Sequence, residues 1–188
     1  MSAGPDVPEG GERVFVGLGA NLGEARQTVL RALDDLTRLP ETCRVACSAL
    51  YRSAPVDAIG PDFVNAVAEL RTGLSPMALL QALQAIEQAS GRQRPYRNAP
   101  RTLDLDLLLF GQRQLTASEL TLPHPRLHLR AFVLRPLLDL APDLRHPVLG
   151  VLQPFLGALA DQSLQRLENP PAGDRVARQR GSRPPATG

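Results

Sequence analysis

The chain has 188 residues, 43% of them hydrophobic, and carries 21 basic against 19 acidic side chains for a formal net charge of +2. That length suits one domain with a real core and is short for two. Every basic residue is arginine, with no lysine in the sequence, which excludes a P-loop, a protein kinase and Schiff-base chemistry and leaves phosphate to arginine forks, backbone N–H groups or metal.

Residues 1 to 11 are rich in Pro and Gly without an apolar period and predict a disordered start. They show no basic n-region followed by an apolar stretch, and no later run approaches about 18 apolar residues, so a cytoplasmic protein is expected. RVFVGLG (13 to 19) reads as a strand, and EARQTVLRALDDLTRL (24 to 39) as a helix with Val29, Leu33 and Leu36 along one face. Between them GLGANLG spaces its glycines as G-x-G-x-x-x-G, which is not the dinucleotide fingerprint. The expected role is a turn with Asn21 as helix cap and glycines for tight packing.

TCRVACSALYRS (42 to 53) is an extended run. Cys43 and Cys47 within it would stand roughly 13 Å apart, too far for a disulfide, and they lack a histidine for zinc, so both are expected as ordinary reduced residues. APVDAIGPD (54 to 62) is a loop and FVNAVAELRT (63 to 72) another strand. SPMALLQALQAIEQAS (75 to 90) is a helix with Ser75 as N-cap, Pro76 at its first position and Gly91 as its stop.

An arginine-rich loop, GRQRPYRNAPR, then feeds a strand over 102 to 110 that carries two aspartates. Strand alternation puts Leu103, Leu105 and Leu107 on one face and Thr102, Asp104, Asp106 and Leu108 on the other. The two carboxylates are then neighbours, roughly 6 to 7 Å apart. Like charges that close need a cation or a donor network between them. Two readings are open: surface ion pairs with nearby arginines, worth only about 0 to 1 kcal/mol, or a magnesium site completed by substrate phosphates. In the second, Arg92, Arg94, Arg97 and Arg101 would meet the phosphates.

LTLPHPRLHLRAFV (120 to 133) adds His124, held between Pro123 and Pro125 and able to donate to a phosphate, and His128 without such restraint. Short helical pieces over 118 to 147, packed by Leu127, Phe132, Leu134, Leu137 and Leu138, are expected to cover part of a second sheet face. The order strand, helix, strand, strand, helix, strand predicts an α+β, ferredoxin-like split βαβ fold, an antiparallel sheet with two helices on one face. A single domain over 12–167 is expected, followed by a disordered Pro/Arg-rich tail over 168–188. Residues 171 to 188 contribute +3, leaving −1 on the rest, so nucleic acid is not an obvious partner.

GLGANLG, ALYRSAP, DFVNAV, APRTLDLDLLLFG and LPHPR…LRAFVLRPL, in this order, resemble the 6-hydroxymethyl-7,8-dihydropterin pyrophosphokinase family of folate biosynthesis, over residues 13 to about 150. The resemblance implies a ferredoxin-like core and transfer of the terminal pyrophosphate of ATP to the pterin hydroxymethyl group, with release of AMP. It implies Asp104 and Asp106 as ligands of two Mg2+ ions bound with ATP, and Arg92, Arg94 and Arg101 as catalytic groups on the transferring phosphates. It implies ATP contacts at Glu87, Arg94, Arg101, Leu107, Thr121, His124 and Arg130. The pterin slot it implies is Ser53, Ala54, Pro55, Val56, Phe63, Asn65 and Phe132, with Phe63 standing where a tyrosine is common. The expected partners are ATP and the pterin, in a monomer without nucleic acid or membrane. Two rivals share features: a ferredoxin-like RNA-binding module, disfavoured by five Phe, two Tyr and no Trp, and a phosphohydrolase using water as acceptor.

Overall fold

The computed structural model describes residues 10–55, 60–91 and 102–168. Strands β1 (Glu12–Ala20), β4 (Phe63–Thr72) and β5 (Asp104–Phe110) form the centre of an antiparallel sheet, with β1 between the other two. The extended run after the first helix breaks into β2 (Thr42–Cys47) and β3 (Tyr51–Ser53), and both pair with β4 end to end. Ser48 fills the break, its N–H donating to the Val67 carbonyl and its Oγ accepting from the Val67 N–H. The sheet follows the expected split βαβ connectivity, with helices packed on it.

Helix α1 (Ala25–Asp35) continues as a short 3-10 turn over Leu36–Arg38, and α2 spans Pro76–Ala89. Both bury their apolar stripes against one sheet face: Val29, Leu33 and Leu36 from the first segment, and Leu79 and Leu83 from α2, meet Val14, Val16, Leu105 and Leu107. Ser75 caps α2 as expected, accepting from the Ala78 N–H at 3.2 Å, and Gly91 follows the helix with φ +80. The expected cap on α1 is corrected. Glu24 occupies the N-cap position without a side-chain bond, and Asn21 donates instead to the Pro61 carbonyl at 3.3 Å. Asn21 sits too far before the helix to reach its first N–H groups, so it ties the loop ahead of β4 to the end of β1.

The second face is covered by a 3-10 turn (Leu127–Leu129), helix α3 (Ala131–Leu140) and a further 3-10 stretch (Gln153–Leu159). Leu127, Leu134, Leu137 and Leu138 pack there on Phe15, Val67, Leu108 and Leu109. Two strand pairs flank α3: β6 (Leu115–Thr116) with β7 (Thr121–Leu122), and β8 (Arg145–His146) with β9 (Gly150–Val151). Finally β10 (Leu164–Arg166) adds itself antiparallel to β3, an element not expected from the sequence. Both cysteines are free. The expected disordered ends fall almost wholly outside the described residues. Among those described, no helix is long and apolar enough to cross a membrane.

Candidate active site

The β1/β5 ladder sets Gly19 opposite Asp104 and Gly17 opposite Asp106, while the β1/β4 ladder sets Gly19 opposite Asn65. Directly paired residues share a sheet face. One row therefore runs across four strands as Asp104, Gly19, Asn65 and Tyr51. Leu105 and Leu107 bury into the α1/α2 core, so both aspartates point to the α3 side, as the alternation predicts. They are half-buried at the start of β5.

The glycines clear the floor of this row. A Cβ at Gly19 would stand 3.3 Å from Asn65 Oδ1 and 3.9 Å from a Phe63 ring carbon, and one at Gly17 would touch Leu108 from 3.4 Å. Neither glycine lies in a turn, since both belong to β1. The expected tight packing holds at both glycines while the expected turn does not, and glycine inside a strand often marks a site where a ligand or another backbone comes close.

Asn65, only 3% exposed, donates Nδ2 to Ser53 Oγ at 3.0 Å and to the Tyr51 carbonyl at 3.4 Å. Those bonds fix the amide and turn Oδ1 toward Gly19. Phe63 is the ladder partner of Ser53. Ser53, Ala54 and Pro55 line a cavity of about 340 Å³ together with Ala131, Phe132 and the loop 161–163. So Ser53, Ala54, Pro55, Phe63, Asn65 and Phe132 come together; Val56 lies outside the described residues.

His124 is placed by the outer edge of β5: its N–H donates to the Leu108 carbonyl at 2.9 Å. Its Nδ1 accepts from the Arg126 N–H at 3.2 Å, so the ring proton resides on Nε2. Burial, then the Arg130 and Arg126 guanidinium groups, push its pKa down to about 4, with Asp104 pulling weakly the other way. The imidazole is neutral at pH 7 and offers a donor, with arginine charge and an aspartate around it. Arg126, exposed in its loop, is a member of this group that the sequence did not single out. Arg130 lies over the Phe132 ring, 5.6 Å from guanidinium carbon to centroid, and connects the two halves of the site. His128 instead packs edge-to-face on Phe155.

Glu87 is 2% exposed and accepts from the Leu105 N–H at 2.8 Å. It thus holds the outer edge of β5 between the two aspartates. Since Leu105 turns its main chain outward, Leu107 does too by alternation, while the Leu107 side chain is in the core on the face opposite the aspartates. Thr121 is exposed on β7. Arg92, Arg94, Arg97 and Arg101 lie outside the described residues.

Among the described residues no group of three or more His, Cys, Asp or Glu side chains can cage a metal by itself. Two neighbouring carboxylates still fit Mg2+, which is commonly held by one or two carboxylates plus substrate phosphates and water. Helix α3 covers part of this second sheet face.

Residues 15–142 match the family described as 7,8-dihydro-6-hydroxymethylpterin-pyrophosphokinase (HPPK). The chain is 52% identical over 157 residues to the 2-amino-4-hydroxy-6-hydroxymethyldihydropteridine pyrophosphokinase of Pseudomonas aeruginosa, covering 83% of this chain and 97% of that one. It is 40% identical over 154 residues to the protein of the same name from Haemophilus influenzae, covering 81% of this chain and 96% of the other. A crystal structure of wild-type HPPK-DHPS from Plasmodium falciparum superposes with a TM-score of 0.63 at 13% identity, over 80% of this chain. The chain spans 45% of that longer protein, and the likeness speaks for the fold.

Proposed function

The chain belongs to the 7,8-dihydro-6-hydroxymethylpterin-pyrophosphokinase family, and on that footing we propose how its own residues carry the reaction. The protein transfers pyrophosphate from ATP to hydroxymethyldihydropterin in folate biosynthesis. The observation that carries the residue assignment is the row Asp104, Gly19, Asn65. A carboxylate end and an amide end stand about 10 Å apart, two strand spacings, on a floor without side chains between them.

The pterin lies in the cavity of Ser53 to Pro55 and Phe132. Phe63 and Phe132 take its flat ring, and Asn65 Oδ1 reads a donor on its edge. Val56, in the adjoining loop, completes the slot. The triphosphate lies over Asp104, Asp106, Gly17 and Gly19. His124 donates Nε2–H to it, and Arg130 places a guanidinium fork there. Arg92, Arg94 and Arg101 take the charge of the transferring group. Thr121 and the outward main chain of Leu107 serve the nucleotide, and Glu87 acts by holding the strand that presents both aspartates.

Asp104 and Asp106 hold two Mg2+ ions, which when bound supply Lewis acidity and neutralise phosphate charge. In the transfer, the pterin hydroxyl oxygen bonds to the β-phosphorus as the bond from the α–β bridging oxygen to that phosphorus breaks. AMP leaves with the bridging oxygen, and the hydroxyl proton passes to solvent or phosphate oxygen. A loose phosphoryl transition state needs no strong base. Residues 12–167 form the single catalytic domain, acting as a cytoplasmic monomer.

Calorimetric titration with a non-hydrolysable ATP analogue tests the metal assignment. Binding is expected to strengthen with Mg2+ in the wild type and to lose that dependence in Asp104→Asn. Equal Mg2+ dependence in both would remove Asp104 from the site.

A further inference from the structure

The loop leading into β10 reaches back to the start of α3. The Gln162 side chain accepts from the Ala131 N–H at 2.8 Å through Oε1 and donates Nε2 to the Leu129 carbonyl at 3.0 Å. Those two groups flank Arg130, so one primary amide clasps the main chain on both sides of it. The first N–H groups of a helix have no partner inside it. Arg130, in the N-cap position of α3, makes no side-chain cap. Gln162 supplies from 31 residues away the acceptor that the local sequence lacks.

The loop has its own anchors. Leu164 is the ladder partner of Ser53 and Arg166 that of Tyr51, which fixes residues 161–163 against the wall that carries Ser53 to Pro55. The clasp joins the segment paired with β3 to the turn that carries Arg130 and Phe132. Both polar ends of the Gln162 amide are engaged by backbone, leaving it to act through those two side chains.

We infer that Gln162 is a positioning residue for the transfer reaction, setting Arg130 toward the triphosphate and Phe132 toward the pterin. This rests on the reading of the cavity as the pterin slot. A misplacement of about 1 Å at a positioning group can cost about a hundredfold in rate, so a smaller shift is enough to be read in kinetics.

Steady-state kinetics of the full chain test it, with thermal unfolding measured alongside. Gln162→Ala should raise KM for the pterin and for ATP each by about tenfold, the fold-change of roughly one lost hydrogen bond. Gln162→Glu keeps the acceptor for Ala131 N–H while losing the donor, and should fall between wild type and Gln162→Ala with the fold intact. In an Arg130→Ala background, Gln162→Ala should add less than about threefold to the ATP KM, since coupled residues are non-additive. Unchanged KM values with only a lowered unfolding temperature would overturn the inference, as would full additivity with Arg130→Ala. A wild-type protein that forms no AMP from ATP and the pterin would instead overturn the functional reading beneath it.

Discussion

Gly19 stands directly opposite Asp104 across the β1/β5 ladder, and a Cβ added to it would come within 3.3 Å of Asn65 Oδ1. The glycine separates the carboxylate end of the site from its amide end. Gly19→Ala needs no unusual backbone, as the residue is within a strand. The variant should lose about 1 to 3 kcal/mol of stability and raise the pterin KM by about tenfold, since overpacking forces the fixed amide to move. Gly17→Ala, whose Cβ meets only Leu108 in ordinary contact, should leave the pterin KM within about threefold of wild type. Equal pterin KM values in wild type and Gly19→Ala would show that the floor is not used.

Glu87 and Leu105 form a buried bond between helix α2 and the edge of β5. Removing the acceptor in Glu87→Ala should destabilise the protein by about 1 to 3 kcal/mol, the cost of an unsatisfied buried N–H. Glu87→Gln retains an amide oxygen for the same N–H and should cost less than about 1 kcal/mol. Urea unfolding midpoints decide, and a Glu87→Ala protein as stable as wild type would contradict this role.

His124 should titrate near 4 rather than 6.5 when followed by NMR in the ligand-free protein. With the native pKa depressed, the unfolded chain binds the proton first as pH falls. The His124 contribution to stability should therefore be level above pH 6.5 and decline between 6.5 and about 4. His124→Gln keeps an N–H donor without the titration and should make the decline shallower, with the remainder contributed by His146, whose pKa burial also lowers. A titration of His124 near its ordinary value would show that neither burial nor Arg130 and Arg126 act on it as the geometry indicates.

Much of this was readable in the residues. Asp104 and Asp106 declared a shared face because strand alternation is a strict local rule, and the leucines between them declared the other face. Ser75, Pro76 and Gly91 marked the limits of α2 because caps depend on one or two adjacent residues. What escaped depends on contacts between distant segments. Gly17 and Gly19 looked like turn glycines until the ladders placed them between Asp104 and Asn65. β10 is three residues long, too short for any period, and its partner β3 is more than a hundred positions earlier. The Gln162 amide at Leu129 and Ala131 has no signature, because a lone glutamine before a short strand resembles any surface residue. Arg126 gained meaning only when its N–H was found on His124 Nδ1.

Asp104 and Asp106 are assigned to direct pyrophosphate transfer from ATP to the pterin alcohol, and product analysis tests that assignment at its root. Wild type, Asp104→Asn and Asp106→Asn are each incubated with ATP, Mg2+ and 6-hydroxymethyl-7,8-dihydropterin. The wild type should form AMP and diphosphorylated pterin in equal amounts. Each variant should lose at least about a thousandfold in turnover, ~4 kcal/mol of barrier, with an unfolding curve like that of the wild type. ADP or free phosphate as the wild-type product, or substantial AMP formation by both folded variants, would contradict the assignment.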